Sequence, residues 1–201
     1  MMLTLIGYRA TGKTTLARLL AARLGWQWID ADVEIERRAG KPIAAIFAED
    51  GEPAFRDLEA AVIADLCARQ NLVLAAGGGA PLRPESRRRM RQAGPVIWLT
   101  ASPQTILRRM AADATTATRR PSLTDKSPLE EIEHLLAVRE SAYREAAHLQ
   151  VDTEDRTPEE LADLIMAQLE QLPQWSVGGR QRQTDAPTSQ DAQQSKAGSN
   201  G

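Results

Sequence analysis

Gly7-Tyr8-Arg9-Ala10-Thr11-Gly12-Lys13-Thr14 is the stretch that decides the fold of this chain. It satisfies G-x-x-x-x-G-K-[ST] at every fixed position. An apolar run, Leu3-Thr4-Leu5-Ile6, precedes it, and a helical pattern over 15–24 follows. Strand, glycine turn and helix in that order form a phosphate cradle. The glycines let successive backbone N–H groups turn inward around an anion. The helix start adds a partial positive charge of about half a unit. Lys13 is placed to reach the outer phosphates of a nucleotide, and the Thr14 hydroxyl to hold Mg²⁺.

Outward from the loop, short apolar runs alternate with helical patterns. Strands are expected over 3–7, 26–30, 72–76 and 96–99, with a weak fifth over 149–151. Helices are expected over 33–39, from Pro42 to Ala48, 52–69, 84–92, from Ser102-Pro103 onward, 127–146, and from Thr157-Pro158 to about Leu172. This alternation implies an α/β fold, with a parallel sheet covered by helices on both faces. Residues 111–125 lose apolar periodicity and read as a lid. Beyond Ser176 the composition turns to Gln, Ser, Gly, Asp and Thr, which predicts a disordered tail over 176–201 after one domain over 1–175.

Composition narrows the function classes. The 201 residues suit one domain, and a net charge of −2 gives no support to a nucleic-acid or anionic-membrane partner. No apolar run approaches the ~20 residues that span a bilayer, and no signal-peptide pattern opens the chain, so a cytoplasmic location is expected. Cys67, the one cysteine, cannot form an internal disulfide and reads as a packed thiol. His134 and His148 have no metal-ligand spacing.

Four further groups bear on what receives the phosphate. Asp30 and Asp32 lie at the carboxyl end of the second strand, which is expected beside the strand of the glycine loop, and open α/β sheets bind ligands at that end. One suits Mg²⁺ held through water and the other a general base; the alternative is an acidic turn in which Asp32 caps a helix. Arg56, early in a helix, suits either a ligand carboxylate or a surface ion pair. Gly77-Gly78-Gly79 after a strand suggests close approach to a ligand, or an ordinary turn. Arg119-Arg120-Pro121 in the lid offers charge to a transferring phosphoryl group, and Arg139 offers a fork to a carboxylate.

Taken together, the glycine loop, Asp30-x-Asp32, Phe55-Arg56-x-x-Glu59, Gly77-Gly78-Gly79, Arg120-Pro121-x-Leu123 and Arg139-x-x-x-Tyr143 resemble shikimate kinase over about residues 2–172. The resemblance implies a P-loop, nucleoside-monophosphate-kinase-like fold with a five-stranded parallel sheet. It implies transfer of the γ-phosphate of ATP to the 3-hydroxyl of shikimate, in chorismate and aromatic amino-acid biosynthesis, by an enzyme that is usually monomeric. By position, it puts ATP on Gly7, Tyr8, Arg9, Ala10, Thr11, Gly12, Lys13, Thr14 and Thr15. Arg120 would reach the phosphates, while Arg109 and Arg156 would cradle adenine. Thr14 and Asp30 would serve Mg²⁺. Asp32 would bind the shikimate hydroxyl as candidate base. Arg56 and Arg139 would hold the shikimate carboxylate beside Gly78 and Gly79. Lys13, Asp32 and Arg120 form the catalytic set, and the acceptor-binding segment spans about 31–60. The lid is longer than in many relatives, which leaves Arg119 a rival to Arg120. A related kinase acting on a hydroxy-acid such as gluconate, and a nucleotide-binding regulator without catalysis, are the alternatives.

Overall fold

Five short apolar runs form one sheet: β1 (Met2–Ile6), β2 (Gln27–Asp30), β3 (Leu72–Ala75), β4 (Val96–Thr100) and β5 (Leu149–Asp152), in the order β2-β3-β1-β4-β5. The computed structural model describes residues 1–112, 127–173 and 175. Every neighbouring pair is parallel. Parallel neighbours need crossovers, and the helices supply them. These are α1 (Lys13–Leu24), α2 (Ala31–Ala39), α3 (Ile43–Glu49), α4 (Gly51–Cys67), α5 (Pro84–Ala93), α6 (Pro103–Ala112), α7 (Pro128–Ala146) and α8 (Pro158–Leu169).

The three central strands, β1, β3 and β4, are buried on both faces and alternate between two apolar clusters. Leu72, Leu74, Val96 and Trp98 face one cluster with Ile35, Phe55, Ile63 and Met90. Leu3, Leu5, Val73, Ile97 and Leu99 face the other, with Leu16 and Leu20 of α1 and Leu161 and Ile165 of α8. A third, smaller cluster joins the glycine loop to α6 and α7 through Tyr8, Ile106 and Ile132.

Register aligns the carboxyl ends that matter. Leu5 pairs with Ala75, and Ala75 pairs with Asp30. The second strand thus lies beside β3 and not, as expected, beside the strand of the glycine loop, yet the glycine loop after β1, the glycine run after β3 and Asp30 at the end of β2 still leave the same edge of the sheet.

Local chemistry accounts for the helix ends. Gly25 and Gly40 close α1 and α2 in the left-handed region. Ser127 and Thr157 form capping boxes with Glu130 and Glu160. The Ser102 hydroxyl accepts from the Thr105 N–H, as its place before Pro103 predicts. Some boundaries differ from the sequence expectation. The second strand ends at Asp30 as expected, but α2 begins at Ala31 rather than at 33, because Asp30 itself is the N-cap. Pro42 occupies the N-cap of α3 rather than its first turn, and Gly51 begins α4 rather than only ending α3. Residues 111 and 112, expected at the start of the lid, continue α6. The rest of the expected lid and the 176–201 tail lie outside the described residues. Cys67 packs half-buried against the first cluster, and burial pushes its thiol up to about 11, as a packed thiol should behave.

The basic run on α5 is absorbed by structure. Arg91 donates to the carbonyls of Glu145, Ala146 and Ala147 at the end of α7. Arg87 bonds Pro81 and Leu82 carbonyls and pairs with Glu145. Arg89 pairs with Glu85 on its own helix.

Candidate active site

The glycine loop turns where its sequence says it must. Gly7 and Gly12 have positive φ, at 141° and 88°. A Cβ on Gly7 would also overlap the Leu99 carbonyl oxygen of the neighbouring strand. Gly12 is the N-cap of α1, so the helix N-terminus opens into the loop. The Thr11 hydroxyl closes a turn by donating to the Tyr8 carbonyl at 2.8 Å. Lys13 folds over the loop, its Nζ donating to the Gly7 and Tyr8 carbonyls at 3.0 and 2.6 Å.

Asp30 and Asp32 do different things. The Thr14 hydroxyl donates to Asp30 Oδ2 at 2.7 Å, which links the first turn of α1 to the end of β2. The other Asp30 oxygen accepts from the Asp32 N–H at 3.0 Å. Asp30, not Asp32, is thus the cap, and Asp32 sits half-exposed in the first turn of α2. Hydroxyl and carboxylate side by side make a hard-oxygen pair of the kind Mg²⁺ takes, together with phosphate oxygens and water. No cluster of three or more His, Cys, Asp or Glu suited to a metal occurs among the described residues.

After β3, two arginines converge on consecutive glycines. Arg56 lies so close to Gly79 that a Cβ there would overlap its guanidinium. Burial works against its charge, but the Glu59 and Glu52 carboxylates outweigh burial and hold it protonated. Glu59 is 3% exposed and Arg56 Nη1 is 2.8 Å from it, so this is no surface ion pair. Arg139 is 6% exposed, with Nη1 3.5 Å from the Gly78 carbonyl. Tyr143, one turn later, donates to that same carbonyl at 2.7 Å. A Cβ on Gly78 would stand 3.4 Å from both Arg139 Nη1 and the Gly7 carbonyl. Gly78 therefore lies against the glycine loop. Phe47 and Phe55 stack with ring centroids 4.6 Å apart, and Phe55 belongs to the core cluster.

A cleft of about 280 Å³ opens on the other side of the loop. Ala10, Thr11, Gly12 and Thr15 line it, with Arg109 of α6 and Arg156 before α8. Arg109 is held by a fork to Thr153, from Nη1 to the hydroxyl at 2.9 Å and from Nη2 to the carbonyl at 2.7 Å. Arg156 donates to the Asp152 carbonyl at 3.2 Å. The two arginines assigned to adenine thus share a cleft with the loop. Arg119 and Arg120 lie outside the described residues.

Sequence reasoning passed over Thr153, Glu131 and the bond of Tyr143 to Gly78. Tyr143 carried a signal, its place one helical turn from Arg139. Thr153 and Glu131 carried none, since each acts through a partner more than 40 positions away in the chain.

A family model for shikimate kinase matches residues 9–170. A shikimate kinase of Rhodopirellula baltica is 45% identical over 164 residues, which covers 82% of this chain and 88% of that protein. Among solved structures, a shikimate kinase from Acinetobacter baumannii in complex with shikimate superposes with a TM-score of 0.79 at 36% identity. That match covers 85% of this chain and 93% of the other. A gluconokinase from Sinorhizobium meliloti matches with a TM-score of 0.53 at 15% identity over 85% of this chain and 91% of its own, a likeness of fold alone.

Proposed function

The chain belongs to the shikimate kinase family, and on that premise we propose that it transfers the γ-phosphate of ATP to the 3-hydroxyl of shikimate, giving 3-phosphoshikimate and ADP. One observation carries the acceptor assignment. Arg56 and Arg139, from helices far apart in the chain, meet Gly79 and Gly78 against the phosphate loop. A carboxylate set between those guanidiniums gains charge-assisted bonds worth about 1.5–3 kcal/mol each. It also fixes the ring that bears the reacting hydroxyl.

In this reading the loop N–H groups and Lys13 bind the phosphates, Lys13 exchanging its loop carbonyls for phosphate oxygens. Arg109 and Arg156 cradle adenine in the cleft they line with the loop. Asp32 accepts the proton of the attacking hydroxyl as general base. Arg120 of the lid balances charge on the transferring group. Thr14 and Asp30 would hold Mg²⁺, which supplies charge neutralisation between the phosphates when bound. No covalent enzyme intermediate is needed, since positioning and charge stabilisation account for phosphoryl transfer. Among the described residues no helix is long and apolar enough to cross a membrane. A cytoplasmic monomer is the form we propose.

A coupled assay for ADP release with shikimate and ATP-Mg²⁺ tests the proposal. Shikimate-dependent turnover is expected. Turnover no higher than the ATPase background, or a preference for gluconate in a side-by-side assay, would overturn it.

A further inference from the structure

Tyr8 is the second residue of the phosphate loop, yet its side chain leaves the phosphate side altogether. It is 1% exposed and packs among Ile106 of α6 and Ile132 of α7. Two guanidiniums flank its ring, Arg9 and Arg139, each with Cζ 5.6 Å from the centroid. Arg9 in turn reaches Glu131 on the first turn of α7, with Nη2 3.2 Å from a carboxylate that is nearly fully buried. Two cations on one ring repel, and the Glu131 carboxylate offsets the charge of Arg9. The loop is thus fastened at two points to the helix that carries Arg139.

We infer that Tyr8 and the Arg9–Glu131 ion pair are positioning residues for Arg139, and that the second and third residues of the phosphate loop thereby set affinity for the acceptor. This rests on the reading that Arg139 holds the acceptor carboxylate. An arginine with a long flexible stem loses rotamer freedom when it binds, and a preset guanidinium avoids that loss. Arg139 has a weak hold on the backbone, its bond to Gly78 being 3.5 Å long. The ring of Tyr8 is the apolar face against which the buried guanidinium rests. The Tyr8 hydroxyl is buried, on the side of the ring where the Arg9 guanidinium acts on it. The ring is what Arg139 itself meets.

Steady-state kinetics of the full chain with shikimate and ATP varied separately tests this. Tyr8→Leu keeps apolar bulk and removes the aromatic face, and should raise the KM for shikimate roughly fivefold more than the KM for ATP. Tyr8→Phe restores the face and should bring the shikimate KM back to within about twofold of the parent value. Arg9→Gln and Glu131→Gln should each raise the shikimate KM about threefold, and the double variant no further, since both break one pair. A bland packing role for Tyr8 predicts instead a lower melting temperature with both KM values unmoved or moved together, and that result overturns the inference. Should Tyr8→Leu fail to fold, Arg9→Gln decides alone, because its side chain is partly exposed and its loss leaves the cluster filled. Normal shikimate turnover by the parent chain with unshifted variants overturns this inference only. Absence of turnover by the parent chain overturns the functional reading and this inference with it.

Discussion

Asp32 and Gly79 show how much a single residue decides in this site. Asp32 stands half-exposed in the first turn of α2, beside the Thr14–Asp30 pair rather than within it. Asp32→Asn keeps the shape and removes the base. The kcat with shikimate should fall by about 10²–10⁴-fold while the ATP KM stays near the parent value. Equal loss in both would argue that Asp32 serves the nucleotide. Gly79 matters for the opposite reason, through what it lacks. A Cβ there would occupy the place of the Arg56 guanidinium, the far end of a flexible side chain. Gly79→Ala should therefore displace the guanidinium, lower the melting temperature by loosening its pair with buried Glu59, and bind shikimate weakly, its KM rising about tenfold as charge-assisted bonds are lost. An unchanged KM would remove Arg56 from the carboxylate site. The role of the glycine run was open in the sequence, because a turn and a close approach look alike until the neighbour is known.

At the scale of elements, α2 shows a charge network with a pH signature. Glu34 lies within α2 and accepts a fork from Arg37 and a bond from Arg38, which also pairs with Asp65 of α4. These hydrogen bonds, that of Arg37 foremost, hold the Glu34 carboxyl down to about 2. In the unfolded chain it titrates near its ordinary value of about 4.3. A depressed pKa adds stability that is fully present above the unfolded value and is lost as pH falls through the folded one. Urea midpoints measured from pH 5 to pH 2 should thus fall more steeply in the parent protein than in Glu34→Gln. Parallel curves would show that the network contributes nothing. The helix itself was legible from its glycine stop and acidic start. Its cap was not: Asp30 and Asp32 are equivalent by type and spacing, and only the end of β2 decided between them.

At the scale of the molecule, one sheet serves two apolar clusters and the site at its carboxyl edge. Leu20 and Ile63 lie on opposite faces, and both are fully buried. Leu20→Ala and Ile63→Ala should each cost about 2–5 kcal/mol and move one shared transition, seen alike by tryptophan fluorescence and circular dichroism. Two separable transitions would mean that the faces fold independently. The architecture was present in the sequence, because period, glycine stops, caps and the phosphate-loop pattern are local properties that each stretch carries alone. So were the candidate residues, which are types and spacings. Convergence belongs to the tertiary structure alone. It brings Arg56 and Arg139 to neighbouring glycines, Arg109 and Arg156 to one cleft with the loop, and Tyr8 between two guanidiniums. It depends on the strand order β2-β3-β1-β4-β5, which puts the third strand of the chain between the first two. No run of residues encodes that order locally, since it arises from how the whole chain buries its apolar faces.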